Sequence, residues 1–188
     1  MKKTATRRWP LLIALAMLWA TVGIIYLVSI RQNDGQLVYA LDDAYIHMAI
    51  AKNFSQHGVW GVTRYAFGSS TSSVLWTLIL SAIYRLFGVN DISPLVLNVL
   101  SATGLVWAVY AILRRRSGLH PLYVLVILLG IIYLTPLPVL IYTGLEHTLH
   151  ALLSILFLYL SAALLSGMRR ASPHRVPWRR FSWPSACR

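Results

Sequence analysis

Residues 74–88 read Val-Leu-Trp-Thr-Leu-Ile-Leu-Ser-Ala-Ile-Tyr-Arg-Leu-Phe-Gly, and whether this stretch crosses a bilayer decides how the whole chain is arranged. It is apolar but short, and it carries Arg85. A spanning helix needs about 20 predominantly apolar residues. Four other runs approach that length, at residues 9–30, 94–113, 121–140 and 148–166. Counting residues 74–88 as a fifth crossing would put Arg114, Arg115 and Arg116 on the outer side together with Arg169 and Arg170. Basic residues tend to stay cytoplasmic, so that arrangement is disfavoured. Reading residues 74–88 as an interfacial or re-entrant helix removes the conflict.

The chain then starts inside, crosses at residues 10–30, holds residues 31–93 outside and crosses three more times. Thirteen of its 17 Lys and Arg residues fall inside, and all five acids, Asp34, Asp42, Asp43, Asp91 and Glu146, fall outside. The expected fold is all-α: a polytopic helical membrane protein with about four transmembrane helices and interfacial helices in the first outer loop. Residues 1–166 form the transmembrane module. Residues 167–188, where Pro173, Pro177 and Pro184 alternate with Arg and Trp, read as an irregular basic cytoplasmic tail.

Composition agrees with a membrane class. The 188 residues are 57% hydrophobic and 12% charged, and the mean hydropathy is +0.64, outside the balance of a soluble domain. The net charge of +12 would suit nucleic acid if it formed one patch. Instead the basic residues stand in short blocks at the ends of apolar runs, where they set topology, so nucleic acid is not an expected partner. The single cysteine, Cys187, permits no intrachain disulfide. The first apolar run exceeds the roughly 7–15 residues of a signal peptide, which favours an uncleaved anchor.

A 63-residue loop between the first two crossings is long enough to imply structure and function. Within it Ile46, Ala49, Ile50 and Phe54 recur at helical spacing and Gly58 supplies a stop, which predicts an amphipathic surface helix over residues 42–54. Asp42 and Asp43 open that helix, where backbone N–H groups favour anions. They serve either as an acidic cap or as a general base with a neighbour that orients it or holds a cation. His47 lies one turn on from Asp43, within reach of a hydrogen bond, although a solvated interfacial histidine is the plainer reading. Lys52 and Arg64 suit a phosphate or pyrophosphate, or lipid headgroups.

Further along, the hydroxyl-rich run at residues 67–73 suits helix capping or contact with a phosphate or sugar. Glu146 is the one acid beyond residue 92 and stands at the outer end of a predicted crossing, where an ionisable group is a functional candidate. His147 is adjacent and His150 is one turn away. A divalent-metal site joining them to Asp42 or Asp43 is conceivable, but no recognised ligand spacing is present.

These residues together resemble a known family. Residues 41–54 read Leu-Asp-Asp-Ala-Tyr-Ile-His-Met-Ala-Ile-Ala-Lys-Asn-Phe, residues 58–63 Gly-Val-Trp-Gly-Val-Thr, residues 69–78 Ser-Ser-Thr-Ser-Ser-Val-Leu-Trp-Thr-Leu, and residues 143–149 Thr-Gly-Leu-Glu-His-Thr-Leu. The ordered set resembles the GT-C superfamily of polytopic glycosyltransferases, in the bacterial branch near the arabinofuranosyl-, aminoarabinose- and mannosyl-transferases, over roughly residues 10–166. The resemblance implies a polyprenyl-phosphate sugar donor, a cell-envelope glycan or lipid acceptor, and chemistry on the periplasmic face of a bacterial inner membrane whose lipids surround the chain. It implies catalytic acids at Asp42–Asp43, with Asp42 the leading single candidate for base, and at Glu146. His47, Lys52, Arg64 and His147 would serve substrate binding.

Transfer would be inverting, with a base activating the acceptor hydroxyl and a cation or basic side chain easing departure of the lipid phosphate. Some relatives use a divalent metal such as Mg or Mn and others none, so no cofactor is carried over. Family members usually have many more crossings, and this chain is expected to be a truncated amino-terminal part. The alternative is a non-catalytic membrane protein that binds a lipid phosphate or a partner. A transporter subunit would show more polar residues within its crossings than Asn98 and scattered Ser and Thr.

Overall fold

The computed structural model describes residues 8–116 and 118–171. Among them the chain forms seven helices and no strand, so it is an all-α membrane protein, as the sequence predicts. Helix α1 spans Trp9–Gln32, α2 Asp42–His57, α3 Val74–Phe87, α4 Ser93–Arg116, α5 Pro121–Leu134, α6 Leu137–Tyr142 and α7 His147–Ala171. Three of these, α1, α4 and α7, are long and apolar enough to cross a bilayer as single helices.

The expected crossing at residues 121–140 is instead two helices. Pro138 cannot donate to the carbonyl of Leu134, and its ring would clash there. Pro136 moreover biases Thr135 away from helical backbone. Helix α5 therefore stops at Leu134, and α6 resumes after the break. The pair still carries the chain from one end of the bundle to the other. Thr21 on α1 and Tyr133 on α5 meet through their hydroxyls at 3.0 Å, each about twelve residues beyond its helix start. Past the break, the carbonyl of Tyr142 accepts from the N–H of Ala40, 3.1 Å away in the segment that follows α1.

Two ends of the bundle are thereby defined. Arg8, Arg114 and Arg115 stand at one; Asp34, Asp42, Asp43, Asp91 and Glu146 stand at the other. Ala14, Leu18, Ala102, Val106, Leu128 and Ile132 fill the interior, while Leu12, Ile24, Leu100, Trp107, Leu158 and Leu164 face outward. Apolar side chains on the outside are at home only against lipid. Small residues let the helices approach: a Cβ on Gly104 of α4 would come 3.1 Å from a methyl of Leu152 on α7. Buried Asn98 ties three elements together, donating to the carbonyl of Ile141 on α6 and accepting from the Thr148 hydroxyl on α7.

Helix α3, the stretch that decided the reading, has 14 residues, or about 21 Å, too short to cross. It packs against α2 through Ala51, Trp76, Leu80 and Tyr84, with Leu97 of α4 and Leu149 of α7 beside them. Helix α2 forms and stops as expected, closing at Gly58 with a left-handed φ of 68°. Its buried face is not the predicted one. Ala44, His47, Met48 and Ala51 are buried with Ile50, whereas Ile46 and Ala49 are only partly covered and Phe54 is exposed.

At the carboxyl end, α7 continues through Arg169 and Arg170 to Ala171. The first five residues of the expected tail are thus helical, and residues 172–188 lie outside the described residues.

Candidate functional site

The geometry begins with a glycine. Gly144 follows α6 with φ at 71°, and a Cβ there would lie 2.7 Å from the Tyr39 ring and 2.8 Å from the Cβ of Ala44. Only glycine satisfies both the backbone and the space. The turn Thr143-Gly144-Leu145-Glu146 therefore presses directly on the first turn of α2, where Asp42 and Asp43 reside. Tyr39 fixes that turn from the other side. Its hydroxyl donates to the carbonyl of Asp91 and accepts from the N–H of Leu95 at 3.1 Å, and burial pushes its ionisation upward, keeping it a neutral donor.

Asp42 and Asp43 occupy the first helical turn, with Leu41 at the cap. The expectation that they cap the helix is thus corrected; as first-turn acids they still complement the helix dipole. Both are exposed.

His47 is 1% exposed, not the solvated histidine expected. The predicted apolar stripe was centred about one residue away, and residues 71–77 fold over the true buried face. His47 Nδ1 lies 3.0 Å from the Thr77 hydroxyl and 2.8 Å from that of Thr71, and Nε2 lies 3.4 Å from the Ser72 hydroxyl. Its hydrogen bonds go to these hydroxyls, not to Asp43. Burial holds its pKa below the ordinary 6.5, and the charges of Glu146 and Asp43 oppose that shift. Asp43, His47 and Glu146 therefore share one electrostatic neighbourhood.

The hydroxyl run does not supply the side-chain cap expected of it. Ser73, at the cap of α3, makes no side-chain capping bond. Thr71 Oγ1 instead accepts from the Ser73 N–H at 3.2 Å and meets the Thr77 hydroxyl at 2.9 Å. Thr71 and Thr77 are the residues that sequence reasoning missed as holders of His47. A β-branched hydroxyl residue one turn after Ser73, in the first turn of α3, was the available signal, since its hydroxyl can bond back to a carbonyl, and Thr77 does so to Ser73 at 2.9 Å.

Lys52 and Arg64 are not brought to this site. Lys52 is exposed near the far end of α2, about 15 Å along the helix from Asp42. Asn53 donates to the carbonyls of Gly61 and Val62 at 2.9 and 2.8 Å, pinning the following loop at that same end. Arg64 in that loop donates to the Tyr65 hydroxyl at 2.8 Å and lies 4.9 Å over its ring. His147 is exposed at the start of α7.

Glu146 is partly buried, and its Oε2 is buried with no hydrogen-bond partner. It borders a small cavity with Trp76 and His150. Among the described residues, no three of His, Cys, Asp and Glu gather in a way that could hold a metal ion. Compared with known protein families, curated proteins and solved structures, the chain matches none.

Proposed function

We propose that this protein provides the acidic face of a glycosyl-transfer site. It would act on a polyprenyl-phosphate sugar donor and an acceptor hydroxyl at the outer surface of a bacterial inner membrane, with the amino terminus cytoplasmic. The observation that carries the reading is the packing of Gly144 against Ala44, which seats the turn bearing Glu146 on the first turn of α2, where Asp42 and Asp43 stand. Asp43 is taken as the base because it stands one helical turn before His47, which Thr71 and Thr77 hold in place.

In the reaction, the Asp43 carboxylate accepts the proton of the acceptor hydroxyl as that oxygen attacks the anomeric carbon. The bond from that carbon to the phosphate oxygen breaks, polyprenyl phosphate leaves with the electron pair, and configuration inverts. His47, neutral and fixed by Thr71 and Thr77, orients the first turn of α2 and does not itself transfer the proton.

The test is transfer from synthetic polyprenyl-phosphate sugars by the full chain in proteoliposomes. Asp43→Asn is expected to lower the rate by about 100-fold or more, the range of a lost general base, and an unchanged rate removes Asp43 from the mechanism. A second reading, binding of a lipid phosphate or partner without catalysis, draws support from the distance of Lys52 and Arg64 from the acids. It predicts donor binding with no transfer.

A further inference from the structure

Helix α3 lies beside the bundle at the level of the lipid. Near its start Leu75 shares a surface recess with Leu153 of α7, and at its end Phe87 shares another with Val96 and Leu100 of α4. Leu100 and Leu153 are outward-facing residues of spanning helices, each roughly 10 Å below its helix start. A 14-residue helix that touches both runs across the bundle, not through the bilayer. Its free face is apolar, with Leu86 and Phe87 at 75% and 78% exposure and Val74, Leu75 and Leu78 also exposed. Apolar side chains continuous with a lipid-facing surface belong in a leaflet, here the one at the acid-bearing end of the bundle.

Helices α2 and α3 run parallel. His47 meets Thr77 near their starts, and the Arg85 guanidinium donates to the Ser55 carbonyl at 3.5 Å near their ends. Between them is a groove of about 390 Å³, with Phe54, Leu78 and Ala82 as its apolar wall and Arg85 toward the helix ends. A guanidinium has five N–H donors and no acceptor, so one long bond to Ser55 leaves most of them for an occupant. No Asp or Glu occurs between Asp43 and Asp91, whereas Lys52, Arg64 and Arg85 do, so the positive charge meets no carboxylate within its own segment. Water can answer the donors but not the apolar wall, which Leu78 continues into the lipid-facing surface. An occupant that matches both is anionic at one end and apolar along its length.

We propose that this groove seats an acidic phospholipid of that leaflet, its phosphate on Arg85 and an acyl chain along Leu78 and Ala82. Arginine suits the role because it stays charged and grips phosphate oxygens in pairs. The groove is at the opposite end of α2 from Asp42 and Asp43, and the site stands independently of sugar transfer.

The experiment uses the full chain in phosphatidylcholine vesicles containing a trace of phosphatidylglycerol or phosphatidylcholine, each with a diazirine at the same carbon of one acyl chain. After photolysis and pepsin digestion, label is mapped by mass spectrometry. Both probes should mark α3, and the phosphatidylglycerol probe should mark residues 78–86 about fivefold more strongly, the effect of one basic residue on an anionic lipid. Arg85→Gln should bring the two probes to parity there, while the phosphatidylcholine label on α3 and all label on α1 stay unchanged. Equal labelling of the unaltered chain by both probes would overturn the site, leaving a solvated arginine beside ordinary lipid, and that result needs no variant to fold. Absence of label from α3 with either probe would overturn its placement in the leaflet. A preference that survives Arg85→Gln would remove Arg85 as the phosphate ligand. Neither probe reports sugar transfer, so failure here leaves the catalytic reading to its own test.

Discussion

Gly144 shows how one residue holds two loops in register. With φ at 71° and the Tyr39 ring and Ala44 Cβ within 2.8 Å of where a Cβ would stand, Gly144→Ala must strain the backbone and push α2 away. A loss of about 1–3 kcal/mol is expected, measured as a lowered unfolding midpoint in detergent, and an unchanged midpoint would mean that the two loops separate freely. His47 makes the companion prediction. Its folded pKa lies below the unfolded value near 6.5 because burial disfavours the cation. The unfolded state therefore binds the proton first, so stability is full above about pH 6.5 and declines as pH falls toward the depressed folded value. Glu146 and Asp43 oppose the shift and limit the loss. Comparing unfolding midpoints at pH 7.5 and pH 5 should reveal the decline, and His47→Gln should flatten it.

At the scale of elements, the decisive joint is where α4, α6 and α7 meet at Asn98. Its amide donates to the Ile141 carbonyl and accepts from Thr148 in a fully buried setting. Asn98→Leu keeps the volume but orphans both partners. The cost should be about 1–2 kcal/mol, in the range of interhelical polar contacts in membranes, and a double-mutant cycle with Thr148→Val should recover part of it. The joint matters because α6 is a single short helix after a proline break and lacks the ladder that would hold it in a longer helix. Tyr142 adds a second tie, its hydroxyl donating to the Val22 carbonyl on α1 at 2.8 Å.

For the whole molecule, charge and topology make one statement. The described basic clusters lie at one end of the bundle and the five acids at the other, a separation that fits basic loops retained in the cytoplasm. In a Cys187→Ser background, Ser69→Cys should react with an impermeant maleimide from the outer side of intact cells, and Leu119→Cys only after permeabilisation. Both positions are exposed, so access rather than burial decides the result. The reverse pattern would invert the proposed orientation and move the acids to the cytoplasm.

Much of this architecture was legible in the sequence because it rests on local quantities. Apolar length gave three of the spanning helices, Gly58 gave the end of α2, and the shortness and Arg85 of residues 74–88 kept α3 from being counted as a crossing. The acids on one side followed from parity and charge. What the chain alone could not reveal depends on which surfaces meet. The buried face of α2 turns on Thr71 and Thr77 arriving over His47, and contacts between residues 24 or more positions apart leave no periodic mark. Likewise Lys52 and Arg64 share a loop with the acids in sequence, yet the straight rise of α2 and the pinning of residues 61–62 at its far end carry them away. Composition and spacing determine the elements; only packing, through the room that Gly144 leaves and the hydroxyls that close over His47, decides which side chains become neighbours.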